Sequence, residues 1–191
     1  MTPTSRRILV ALLAPLVLAG CGTVAGDGDG GGPLVPATAP EGWSSHDMGP
    51  VTVATPPEWE EFTTTAGDSS DEAYAMRAPG DGPGTGVHAT VTSERRRDAD
   101  AAVENLRDVG DASVGARDVE VVELSWPGAQ AAGWVGYEAT VPVEGVEVAM
   151  RYEYLVIDLE GSAQTIVAVI APVEGFEDSG AHDVLASVVV R

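Results

Sequence analysis

Between Gly42 and Arg191 the chain alternates apolar and polar positions with two different periods. A period of two runs through VTVAT (51–55), EFTTT (61–65), EAYAMRA (72–78) and TGVHATVTS (85–93). The intervening PPEW, AGDSSD and PGDGPG supply turn-forming Pro, Gly, Asp and Ser, so this half predicts antiparallel hairpins. In DADAAVENLRDVG (98–110) the period becomes helical. Ala102, Val103, Leu106 and Val109 fall on one side, Asp98 or Asp100 caps the start, and Gly110 is the predicted stop.

Strands resume with DVEVVELSW (118–126) and QAAGWVGYEATV (130–141). In the next strand Val146, Val148, Met150, Tyr152, Tyr154 and Val156 share one face, and Glu147, Arg151 and Glu153 share the other. It then becomes apolar on both sides, which predicts one half-exposed end and one end covered on both faces. SAQTIVAVIAP (162–172) is apolar throughout and predicts a central strand. EDSGAHDVLASVVV (177–190) reads as a helix capped by Asp178 or Ser179, with Ala181, Val184, Leu185 and Val188 inward. Two main helices and seven to nine strands predict an α+β domain, a mostly antiparallel sheet with the helices packed on it.

The first 41 residues follow neither period. Arg6 and Arg7 precede an apolar run from Ile8 to Leu18, which is too short for a bilayer-spanning helix of about 20 residues and reads as an export signal. It ends Leu18-Ala19-Gly20-Cys21, a lipobox pattern, which predicts cleavage between Gly20 and Cys21 and diacylglycerol on the Cys21 thiol. Each buried methylene contributes about 0.8 kcal/mol, so two acyl chains anchor stably where one is marginal. The expected location is the extracytoplasmic face of the cell membrane. Residues 21–41, rich in Gly and Pro, read as a flexible tether, leaving 42–191 as one domain.

Cys21 is the only cysteine, so an intrachain disulfide is excluded and the core must hold the domain together. The sequence has ten Lys and Arg against thirty Asp and Glu, a formal net charge of −20. Loss of Arg6 and Arg7 leaves eight against thirty, a net of −22, which argues against nucleic acid as a partner. The basic run in SERRRDAD (93–100) is bracketed by acids and reads as a solvated turn between a strand and a helix.

Candidate chemistry is sparse. His46, His88 and His182 have no metal-ligand spacing, and His88, alternating with Val87, Ala89 and Val91, is expected to point outward. DGDGGG (27–32) lacks the glutamate a calcium loop needs at its twelfth position, which is Thr38. All ten basic residues are arginine, so Schiff-base chemistry, a Ser-Lys dyad and a Walker lysine are excluded. No cofactor or metal is expected. Trp126, Trp134, Tyr137, Tyr152 and Tyr154, with Met150, fall within three consecutive strands. On adjacent antiparallel strands they would line one concave face suited to lipid, glycan or peptide, or else form ordinary sheet core.

The lipobox, the Gly/Pro tether, the strands around the Pro-x-x-Trp turn at Pro56 to Trp59, one helix, a strand meander and a terminal helix together resemble the LpqN/LpqT-type lipoproteins of actinobacteria. The resemblance implies a PsbP-like α/β/α sandwich and a non-enzymatic binding or assembly role in the cell envelope. The leading expectation is a membrane-anchored binding module for an envelope protein. A carrier of an apolar ligand or envelope lipid is the alternative, and an acid-based hydrolase the third.

Overall fold

The computed structural model describes residues 34–62, 72–80, 84–143 and 145–191. Gly20, Cys21, the export signal and the tether up to residue 33 lie outside the described residues, as do the end of EFTTT, the AGDSSD turn and part of PGDGPG.

The described chain is a mostly antiparallel β protein with two helices. Strands β1 (Ser44–Met48) and β2 (Val51–Thr55) form a hairpin, followed by β3 (Glu60–Glu61), β4 (Glu72–Arg77) and β5 (Gly86–Thr92). Helix α1 (Ala99–Val114) leads to β6 (Arg117–Leu124), β7 (Ala131–Val143), β8 (Val146–Asp158) and β9 (Gln164–Pro172). After a 3₁₀ turn at Glu177–Ser179 come α2 (Ala181–Ala186) and β10 (Val189–Val190). The main sheet has seven strands in the order β3-β4-β5-β9-β8-β7-β6, and a small sheet has the order β1-β2-β10. Every pairing is antiparallel. As its unbroken apolar run requires, β9 sits at the centre, bonded to β5 and β8.

Two cores lie on the two sides of the main sheet. On one side α1 covers Val135, Tyr137 and Val156 with Ala99, Ala102 and Val103. On the other, α2 and the small sheet bury Val51, Val53, Trp134, Leu155, Ile157, Val167, Val169, Val184 and Leu185. The small sheet therefore takes much of the position a second long helix would fill.

Helix α1 begins as its sequence predicts: Asp98 is extended and its carboxylate accepts from the Ala101 N–H at 3.0 Å. It ends at Gly115 in the left-handed conformation, not at Gly110. Gly110 is a close-approach residue, since a Cβ there would lie 2.8 Å from Tyr137 Cζ. In β7, a Cβ at Gly136 would lie 2.6 Å from Trp134 Cζ2, so this glycine makes room for the indole.

The terminal segment is helical over only six residues. Ala181, Val184, Leu185 and Val188 are buried as expected, but Ser187 turns its hydroxyl back to the Val184 carbonyl at 2.7 Å and accepts from the Ala54 N–H at 3.0 Å. The β-branched Val189 and Val190 then pair with Thr52 and Val51. Ser179, one of the expected caps, accepts from the Ala181 N–H at 3.1 Å.

The folded unit also begins earlier than Gly42. Leu34 is 1% exposed within the main core, and the Ala37 N–H donates to the Ala186 carbonyl at 2.9 Å. Burying one leucine contributes about 1.5–3 kcal/mol, enough to hold down a segment with no period of its own.

Candidate binding surface

Strict alternation along β7 and β8 decides which aromatic residues meet. Tyr137, Met150, Tyr152 and Tyr154 face α1, whereas Trp134, one residue out of phase, faces the opposite core. Trp126 also lies in that opposite core, with its indole N–H donating to the Val188 carbonyl at 3.2 Å. The six expected site residues therefore do not line one face: four share a side and the two tryptophans are core on the other. Trp134 is fully buried, and among the described residues its Nε1 has no hydrogen-bond partner.

The tyrosines form a stack. Tyr137 lies between its neighbours, with ring centroids 5.2 Å from Tyr152 and 5.9 Å from Tyr154, and its hydroxyl is 3.2 Å from that of Tyr154. Burial pushes the Tyr154 hydroxyl pKa well up, assisted by the bond to Tyr137. Burial is also the main cause of the rise at Tyr152, with Tyr137 second. Both hydroxyls are therefore neutral at physiological pH.

Helix α1 runs over β7 and its neighbours β6 and β8. Beyond it the same side of the sheet continues across β9 and β5. The register aligns Tyr154, Ala168, His88 and Ala75 in one row, and Tyr152, Ile170 and Gly86 in the next. Along β9 the residues alternate strictly: Thr165, Val167, Val169 and Ala171 are buried, while Ile166, Ala168 and Ile170 are partly exposed. The result is a partly exposed apolar strip that ends on β4 at Arg77, the pairing partner of Gly86.

His88 belongs to this strip and is half-buried, not an outward surface side chain. Among the described residues its Nε2 has no hydrogen-bond partner, and burial lowers its pKa, so it is neutral at pH 7. The alternation correctly separated it from Val87 and Ala89; only the sheet shows that the other face is also partly covered.

On the α2 side, Glu153 is 2% exposed, although its sequence neighbours placed it on a polar face. Its two carboxylate oxygens lie 3.2 Å from Arg151 Nε and 2.8 Å from His182 Nδ1. The bond to Glu153 raises the His182 pKa against the opposing effect of burial, with weaker help from Asp183 and Glu177. Arg151 also sits 5.9 Å over the Phe176 ring. Among the described residues His182 hydrogen-bonds only Glu153, so this pair ties α2 to β8. A second buried carboxylate, Asp158, accepts from the Ala99 N–H and from Gln164 Nε2, which fixes the start of α1 at the end of β8.

A cleft of about 580 Å³ lies between residues 36–39, Trp43, the Pro127-Gly128 turn and β10. Its lining carries no charged side chain. None of the six expected aromatic and Met positions lines it. Trp43 gives a Pro/Trp sequence no periodic signal, which is why the cleft could not be read from the strand pattern.

Among the described residues no group of three or more His, Cys, Asp or Glu is placed to hold a metal ion, and no helix is long and apolar enough to cross a membrane. No family model matches the sequence, and no curated protein matches it. Among solved structures, a Bacteroides thetaiotaomicron protein determined at 1.50 Å is similar at 13% identity and a TM-score of 0.46. The similarity covers 74% of this chain, which spans 45% of that protein's length.

Proposed function

We propose that this chain is an envelope lipoprotein of the LpqN/LpqT type, held on the extracytoplasmic face of the cell membrane through Cys21 and acting as a non-catalytic binding module for an envelope protein. The observation that carries the binding role is the partly exposed apolar strip beside α1 formed by Ile166, Ala168, Ile170, Tyr152 and Tyr154. Contiguous apolar surface left partly exposed by the described residues is of the kind that marks interaction sites. The lipobox supports the anchor, and a tether raises the effective concentration of the domain near membrane partners.

Crosslinking in intact cells tests this reading. The wild-type chain should fractionate with membranes and yield a defined protein adduct, whereas Cys21→Ser should become soluble and lose the adduct. Recovery of the anchored form with no protein partner counts against it.

The neutral cleft favours a second reading, a carrier of an apolar ligand. Its volume lies within the range of small-molecule sites, roughly 300–1,000 Å³. Native mass spectrometry of the chain purified from a related host would show a solvent-extractable extra mass in that case and an unmodified mass otherwise.

A further inference from the structure

We propose that β6, the open edge of the main sheet, takes up an extended segment of the envelope partner as an added strand, and that this segment carries two Lys or Arg three residues apart, facing Glu120 and Glu123. The inference rests on the reading of the chain as a binding module for an envelope protein, not on the strip beside α1, and it names a surface and the partner's chemistry.

The edge itself selects a strand. β6 is the last strand of the main sheet and, among the described residues, pairs only with β7, in register from Glu120↔Gly136 to Leu124↔Ala132. No described group outside β7 hydrogen-bonds the backbone of residues 120–124. Alternate N–H and C=O groups along this run therefore point away from the sheet, which is the template that strand addition uses. Both cores also end unfinished here. Val121, beside Val135, lies on the α1 side with Val119, and Val122, beside Trp134, lies on the opposite side with Leu124, yet all four are only half-buried. One further strand would cover apolar side chains on both faces. The other described sheet edges do not offer this. β3 and β10 have two residues each, and β1 carries Met48 as its one apolar side chain, already buried, and has Asp47 paired with Arg191.

Charge selects the sequence of the added strand. Glu120 and Glu123 are exposed, and among the described residues neither takes part in an ion pair. Side chains directly opposite across an antiparallel pair have Cβ atoms about 4.5–5.5 Å apart, and opposite charges there are favourable. The residues facing Glu120 and Glu123 are therefore basic, and the two between them, facing Val121 and Val122, are apolar. A second copy of this chain offers no such match, because its residues 119–124 contain no basic side chain and would set glutamate against glutamate or against an apolar residue. Asp118, in the left-handed region at φ 51°, lies where the register with β7 shifts between Arg117 and Glu120, which limits the added strand to the run from Glu120 onward.

A photocrosslinking amino acid at Ser125, exposed just beyond the end of β6, tests the site in the full-length chain in membranes of the native host, with Ala168 in the strip and Ser45 on β1 as positions away from it. An adduct is expected from Ser125, and peptide mapping should place it beside a partner segment with two Lys or Arg three residues apart and apolar residues between them. Glu120→Lys together with Glu123→Lys should lower its yield about tenfold, with circular dichroism confirming that the variant is folded. Exchanging the two mapped basic residues of the partner for Glu should then restore the yield. An adduct on a second copy of this chain, on a segment without the basic pair, or with a yield that either exchange leaves unchanged overturns the strand site. Adducts from Ala168 or Ser45 with none from Ser125 overturn it and leave the binding-module reading intact. No adduct from any position overturns both.

Discussion

Replacing Gly110 by alanine should destabilise the protein, against the usual effect of this change in a helix. Glycine in a helix interior costs about 1 kcal/mol relative to alanine, so propensity alone predicts a gain of that size. Here the new Cβ would sit 2.8 Å from Cζ and 2.9 Å from Cε1 of Tyr137. The ring cannot retreat, because it is 5% exposed and stacked against Tyr152 and Tyr154. Overpacking of a filled core costs about 1–3 kcal/mol, and with two ring atoms inside contact distance the upper part of that range applies. The net loss is then about 1–2 kcal/mol, or a fall in Tm of about 2–8 °C for a domain of this size. Urea and thermal unfolding followed by circular dichroism would measure it. In a Tyr137→Ala background the same substitution should instead stabilise by about 1 kcal/mol, since only propensity remains. A Gly110→Ala variant that melts above the wild type, or equal effects in the two backgrounds, would refute the argument.

Three further outcomes are expected. Leu34→Ala should cost about 2–4 kcal/mol in urea unfolding, because the side chain is 1% exposed in the main core; an effect below 0.5 kcal/mol, taken as roughly the surface-substitution range, would return residues 34–41 to the tether. The folded-state pKa of His182 is raised above its ordinary 6.5, so the stabilisation from its bond to Glu153 is complete below that value and is lost as pH rises through the folded-state pKa. The stability difference between wild type and His182→Gln should therefore shrink between pH 6 and pH 9, and a difference that does not change with pH would contradict this. Asp98→Ala should cost about 1 kcal/mol through the lost cap of α1, read from the same unfolding curves.

Much of the fold was legible because burial on one or both faces leaves a direct mark on the order of residues. The central place of β9 followed from its doubly apolar run. The two faces of β8 followed from alternation, and the start of α1 from an aspartate before a helical period. These are local properties, set by the strand repeat of two and the helix repeat of 3.6.

The sequence by itself thus determined the class of fold, the places of the two helices, the acidic surface and the Cys21 motif. The tertiary structure alone decided which buried groups meet. It placed Trp134 and Tyr137 on opposite sides of one sheet, although both belong to one aromatic-rich stretch. It drew Glu153 into the interior by supplying His182, 29 residues away, as a partner. It converted the end of an expected helix into β10, because pairing with β2 and the turned Ser187 outweighed local propensity. It tied Leu34 into the core, and it left one side of β9 partly exposed because α1 packs over β6, β7 and β8. Each of these depends on what lies across the sheet from a residue, and that distance in space is not written into its neighbours along the chain.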